Sequence, residues 1–296
     1  SRRQRRKLSM ANTLSPKSEF AQRMAEVYPS LSKSHQKIAD FVLTRPLDVV
    51  AMSIEGVAEA SGSSTATITR FVRTAGYGGF SEFREKIVSD FQAVPGNKHN
   101  SQGNDLGSLG KTSTLHRQLI DSVEKLQDTI SNIDQTSSDE FIQSILQAQR
   151  IIILGTGASH YAAAYLEEGL ALYTEKSVTN ALLRGASSYS SNIINSISKN
   201  DVVIAISIPR YSQSTLELTK AARAKHAKIL VLTDSPTSPL ASLADVVLYA
   251  TATSDFLPNS PSAIFALSEA IVATVAEQRP DIIESLRKIP PPNIIR

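Results

Sequence analysis

Ser53-Ile54-Glu55-Gly56-Val57-Ala58-Glu59-Ala60-Ser61-Gly62-Ser63-Ser64-Thr65-Ala66-Thr67-Ile68-Thr69-Arg70-Phe71 holds two short helical patterns on either side of a glycine-bearing turn. Ser53 is placed to cap a helix over about 54–60, and Ser64 a helix over about 65–74 that ends at Gly76. A serine hydroxyl at such a position accepts from the unpaired amides of the first turn. Ile54, Val57, Ile68, Phe71 and Val72 fall where the two helices face a shared core, and Ala58 is small where they cross. Two helices joined in this way form a helix-turn-helix. The second helix leaves Ser64, Thr65, Thr67, Arg70 and Arg73 on its outer face, with hydroxyls near its start and cations further along. That face suits the major groove of DNA: the helix N-terminus and hydroxyls meet phosphates, and arginine reaches base edges. No acidic residue stands between Glu59 and Glu82 to repel a polyanion. The competing reading is a small helical bundle whose polar face meets only water, because the periodicity by itself is moderately specific.

Outward from this segment, Ile38, Ala39, Phe41 and Val42 sit at helical spacing in a stretch opened by Leu31-Ser32 and stopped at Arg45-Pro46. A further helix is predicted over about 81–91. Together these make a small all-α DNA-binding domain over residues 15–93. Residues 1–92 carry 14 basic and 9 acidic side chains, a net of +5, while residues 93–296 carry 17 and 19, a net of −2. The N-terminal part is therefore the side that meets a polyanion. Five of its cations lie in the first seven residues, and Met10 is a candidate start that leaves residues 1–9 as an upstream extension. Residues 94–114 are rich in Gly, Asn, Ser and Lys and poor in apolar side chains, which predicts a flexible linker.

From 115 to 296 the pattern changes. Helices are predicted over about 115–131 and 138–148, followed by four short apolar runs: 151–154, 202–206, 229–232 and 246–248. A weaker strand is expected near Val178. Apolar strands alternating with helices imply a parallel sheet covered on both faces, with ligands outside the carboxyl ends of the strands.

Two of those strand ends carry loops suited to an anion. Gly155-Thr156-Gly157-Ala158-Ser159 leads into a helix, where glycines permit close backbone approach and first-turn amides face the ligand. It lacks the third glycine of a dinucleotide fingerprint, since His160 stands there. Ser207-Ile208-Pro209-Arg210-Tyr211-Ser212-Gln213-Ser214-Thr215 gathers four hydroxyls and one guanidinium at another helix start. The candidate ligand residues are Gly157, Ser159, Ser207, Arg210, Ser212, Ser214 and Thr215, with Arg184 as an outlying candidate. The plain alternative is that Ser and Thr are helix caps and the glycines serve only the turn geometry. Neither loop pairs a carboxylate with a histidine for proton transfer.

The chain has no Cys, which excludes disulfides and thiolate chemistry and fits a cytoplasmic location. No apolar run reaches the roughly 18–20 residues of a membrane span, and no His/carboxylate cluster has metal-ligand spacing. No metal, cofactor or membrane partner is expected.

The run Gly62 to Phe71, followed by Gly76-Tyr77-Gly78-Gly79-Phe80 and Phe83, resembles the MurR/RpiR family of bacterial regulators. The second half resembles a sugar isomerase (SIS) domain in three places: 155–159, 207–215, and Leu232-Thr233-Asp234-Ser235-Pro236-Thr237-Ser238-Pro239-Leu240-Ala241 through Asp245. The resemblance implies an α/β three-layer sandwich, flavodoxin-like, with a five-stranded parallel sheet. It also implies phosphate contacts at Ser159, Ser207 and Thr215, joined by Ser212 and Ser214. The loop after Ile206 is longer than the usual Ser-x-Ser-Gly-Glu-Thr and has Ser214 where Glu is common. Catalytic Glu and His residues of the family's isomerases have no counterpart that can be located here.

The expected function is a DNA-binding transcriptional regulator of carbohydrate genes, controlled by a phosphorylated sugar and not an enzyme. Its partners would be a double-stranded, palindromic operator and further copies of itself as a homodimer or homotetramer. The alternatives are a sugar-phosphate aldose–ketose isomerase, and an adaptor whose helical domain docks on another protein.

Overall fold

A computed structural model describes Leu14, Pro16 and residues 18–92, 113–182 and 187–288. Arg184, and the expected linker up to residue 112, lie outside the described residues. The chain divides into two compact units, 1–132 and 133–296.

The first unit contains α1 (Glu19–Val27), α2 (Lys33–Thr44), α3 (Pro46–Ala51), α4 (Ile54–Ala60), α5 (Thr65–Thr74), α6 (Phe80–Gln92) and α7 (Thr114–Asn132). Serines start four of these helices: Ser18, Ser32, Ser53 and Ser64 each accept a first-turn amide. Proline shapes the join between α2 and α3. Arg45 leaves the helical region (φ −136°, ψ 50°) and Pro46 becomes the first residue of a new helix, where its missing N–H costs nothing. The α4–α5 turn closes through Ser63 N donating to Ala58 O (2.8 Å), and Gly62 adopts φ +64°, which an L side chain rarely tolerates. Phe20, Met24, Ile38, Ile68, Phe71 and Phe83 are buried in one core. Its aromatic centre is Phe83, with Phe20 at 5.1 Å and Tyr77 at 5.3 Å, both edge-to-face. Helix α7, which the sequence places in the second domain, precedes the division between the two units, which falls after Asn132.

The second unit is a three-layer α/β sandwich. Its strands are β1 (Arg150–Gly155), β2 (Ser177–Asn180), β3 (Asp201–Ile206), β4 (Lys228–Thr233) and β5 (Val246–Tyr249). They form one parallel sheet in the order β2-β1-β3-β4-β5. The helices are α8 (Gln135–Gln147), α9 (Ala158–Thr174), α10 (Ser188–Asn195), α11 (Gln213–Ala224), α12 (Ser262–Glu277) and α13 (Pro280–Arg287). On one face Ile152, Leu154, Val203 and Val231 pack with Ile194 of α10 and Ala222 of α11. The other face is covered by α9 and α12, with α8 beside β5. Burial on both faces explains why the strands read as continuous apolar runs. At the opposite end of the sheet from the loops, Arg150 pairs with buried Asp201 at 2.8 Å. The strand order reverses between β1 and β3, and a doubly wound sheet opens a crevice at that point. Among the described residues, no helix is long and apolar enough to cross a membrane.

Candidate functional site

On the first unit, α5 presents Thr65, Arg70 and Arg73 to solvent while Ile68, Phe71 and Val72 are buried. Ser64 and Thr67 are engaged with each other. Ser64 Oγ accepts from Thr67 N (3.2 Å) and lies 2.8 Å from Thr67 Oγ1, so both hydroxyls first serve the helix start. The Arg70 guanidinium rests 3.4 Å from Thr67 Oγ1, and no ion pair among the described residues involves Arg70. Glu82 instead accepts from Gly78 N at 2.7 Å. His35 of α2 was not singled out in the sequence, yet its ring lies 5.8 Å from that of Phe71. Burial, and then the nearby Arg70 charge, lower its pKa below the ordinary histidine value.

On the second unit, the loops after β1 and β3 meet at the sheet's crevice around a cavity of about 170 Å³. Of the candidate ligand residues, Gly157, Ser159, Ser207, Arg210 and Ser212 line it. Gly157 precedes α9 with φ +59° and ψ −130°, a conformation open to glycine and costly for other residues. Ser212 caps α11 by accepting from Thr215 N (3.2 Å), while Ser207 Oγ accepts from Ser212 N (3.2 Å). Both helix starts therefore open on the same cavity, each with first-turn amides that favour an anion. Thr215 lies behind this wall, fully buried, and its Oγ1 has no hydrogen-bond partner. Ser214 is half-buried and is not among the lining residues. With the cap at Ser212, position 214 falls within the first turn of α11, off the cavity wall.

Thr156, Ala158 and Ile208 join the lining from within the two loops. Pro258 and Asn259 come from the segment after β5, which no sequence signal had pointed to. Beneath the wall, Thr233 Oγ1 donates to Ser207 O at 2.6 Å and reaches Ser238 Oγ at 2.7 Å, and Tyr211 OH donates to Asp234 at 2.9 Å. The Leu232–Asp245 stretch thus buttresses the ligand loop from the neighbouring strand. The lining among the described residues offers amides, hydroxyls, one guanidinium and one side-chain amide, but no carboxylate and no imidazole. Such a set holds an anion well. A larger depression of about 410 Å³ on the first unit is lined by the carboxylates of Glu19, Glu82 and Glu85 together with the cations of Arg23 and Lys86.

Residues 19–94 match the helix-turn-helix domain of the rpiR family, and residues 144–276 match the SIS domain. The molecule is a DNA-binding transcriptional regulator of the helix-turn-helix type with an SIS domain on its C-terminal side. More narrowly, its helix-turn-helix region is of the rpiR family's type. Its relatives include an uncharacterised HTH-type transcriptional regulator of Providencia stuartii, 29% identical over 73% of this chain and 74% of that protein. Another, from Clostridium perfringens, is 26% identical over 86% and 91%. Among solved structures, the sugar isomerase domain of an RpiR transcription factor from Sphaerobacter thermophilus covers 60% of this chain and all of its own, at 22% identity and a TM-score of 0.56. The Vibrio vulnificus NanR protein complexed with ManNAc-6P covers 91% and 96%, at 23% identity and a TM-score of 0.51. These two establish likeness of fold.

Proposed function

We propose that a phosphorylated sugar, bound between the loops after β1 and β3 and released unchanged, sets the affinity of this regulator for its operator. The observation that carries the reading is Thr215 Oγ1. It is a buried hydroxyl with no partner, at the start of a helix whose amides open on the cavity. Leaving such a group unpaired costs free energy, and a turn of the Thr215 side chain toward the wall between Ser207 and Ser212 on binding would let a phosphate oxygen recover it. Ser159 and Gly157 would contribute from the β1 side and Arg210, exposed at the rim, would close over the ligand. The NanR structure, of similar fold, was solved with a phosphosugar, which supports this class of effector. The lining without carboxylate or imidazole favours binding over aldose–ketose isomerisation.

On the DNA side, Ser64, Thr65, Thr67, Arg70 and Arg73 form the contact surface, with Ser64 and Thr67 also holding the helix start. The protein works in the cytoplasm as a homodimer or homotetramer on a palindromic operator, since one short recognition helix reads too few base pairs alone. An effector acts only if it favours one arrangement of the DNA-binding units over another.

The test is a melting screen against hexose, pentose and N-acetylhexosamine phosphates, with product analysis of every incubation. A true effector at about 100 times its Kd stabilises the protein by about 2.7 kcal/mol. Absence of stabilisation by any phosphosugar refutes the effector reading, and interconversion of a stabilising sugar would restore the isomerase reading.

A further inference from the structure

Between β5 and α12 the chain runs from Ala250 to Pro261 without regular secondary structure. Its two ends are fastened. Ala250 N donates to Thr233 O (2.8 Å), Ser260 N donates to Ala252 O (2.9 Å), and Ser260 Oγ lies 3.0 Å from Ser262 Oγ. Between these ties the tip turns on Ser254, whose Oγ accepts from Leu257 N at 3.1 Å. The tip carries two large apolar side chains into water: Phe256 is 80% exposed and Leu257 61%. The next two residues, Pro258 and Asn259, line the cavity described above. Asn259 Nδ2 also donates to Pro209 O, fifty residues away, in the middle of the loop that follows β3. Tyr211 OH also ties that loop, donating to Asp234 Oδ1 at 2.9 Å.

We propose that Asn259 is a positioning residue for the phosphate-binding loop, and that the Phe256–Leu257 tip beside it closes over a bound phosphosugar as the third wall of the site. Three features point the same way. The two apolar side chains are continuous in sequence with lining residues, so burying them against the ligand mouth needs only a local movement of the tip. Occupancy of the cavity supplies the surface that they lack, because a sugar ring has apolar C–H faces. The Asn259 amide ties this tip to the carbonyl between Ile208 and Arg210, so a ligand that orders one loop orders the other. The inference rests on the phosphosugar reading of the site.

The chain contains no Trp, so a Phe256→Trp variant of the full-length protein has a single indole reporter. Its emission should shift to the blue on titration with whichever of glucose 6-phosphate, ribose 5-phosphate or N-acetylmannosamine 6-phosphate stabilises the unsubstituted protein. Asn259→Ala should weaken that phosphosugar about tenfold, the weight of one net hydrogen bond. It should also weaken inorganic phosphate, a probe with no sugar to touch the tip. Asn259→Asp keeps the size but cannot donate to Pro209 O, and should behave like Asn259→Ala. Melting of the unliganded variants separates these losses from unfolding.

Phosphosugar binding without any change in the emission of the Phe256→Trp variant overturns the closing tip. Full phosphate affinity in folded Asn259→Ala overturns the positioning role. An emission shift that follows protein concentration without ligand would make the tip a self-association surface instead. If no phosphosugar stabilises the unsubstituted protein, the effector reading itself fails and this inference falls with it, a result distinct from the other three.

Discussion

Replacing Thr215 with Val should move stability and effector affinity in opposite directions. The side chain is completely buried in α11, and its Oγ1 is out of reach of water with no hydrogen-bond partner. Valine keeps the β-branched shape and swaps the hydroxyl for a methyl. An unsatisfied buried polar group costs about 1–3 kcal/mol, so the unliganded variant should gain on the order of 1 kcal/mol. In a domain of this size that is a rise in Tm of about 2–4 °C. With the effector bound the sign reverses. A hydrogen bond to a charged group is worth about 1.5–3 kcal/mol, so the variant should bind a phosphosugar about 10- to 150-fold more weakly. Differential scanning calorimetry of the unliganded proteins and isothermal titration with the stabilising phosphosugar read the two effects separately. A Thr215→Val protein that melts lower than the original would mean that the hydroxyl is already satisfied in the free protein. Unchanged affinity would put the phosphate elsewhere. Either result removes the observation on which the effector site was built.

Other perturbations test the remaining parts. Arg70→Ala, which removes a guanidinium free of ion pairs among the described residues, should weaken operator binding by roughly 1–3 kcal/mol in a gel-shift or anisotropy titration if it makes a bidentate base contact. Ser64→Ala should also lower stability, by about 1 kcal/mol, because the lost hydroxyl caps α5; urea unfolding checks this, and an unaltered midpoint would contradict the capping role. The folded pKa of His35 is depressed by burial and then by Arg70, so its contribution to stability is present above the ordinary histidine pKa of 6.5 and diminishes as the pH falls below it. NMR titration should place His35 below 6.5 in the intact protein and nearer that value in Arg70→Ala. Light scattering at micromolar concentration should report a dimer or tetramer, and a monomer with and without operator DNA would contradict the paired half-site reading.

Much of this was legible in the chain because the physics is local. A serine ahead of an apolar period is a helix start wherever it sits, so Ser32, Ser53 and Ser64 marked α2, α4 and α5 before any contact was known. Strands buried on both faces must be apolar throughout, so four of the five strands stood out as runs, and the anion-ready loops followed from what stands at their ends. Tertiary structure decided whatever depends on distant partners. Helix α1 is short and is anchored by Phe20 and Met24 in a core whose aromatic centre, Phe83, lies some sixty residues on. Within the ligand loop, the four hydroxyls of Ser207, Ser212, Ser214 and Thr215 looked alike until the cap fell at Ser212. That one hydrogen bond put Ser207 and Ser212 on the cavity wall, Thr215 behind it and Ser214 outside. Pro258 and Asn259 carry no local signal at all. They reach the cavity because the ends of β5 and of β3 open on the same side of the parallel sheet, so the segment leaving β5 comes to lie beside Pro209.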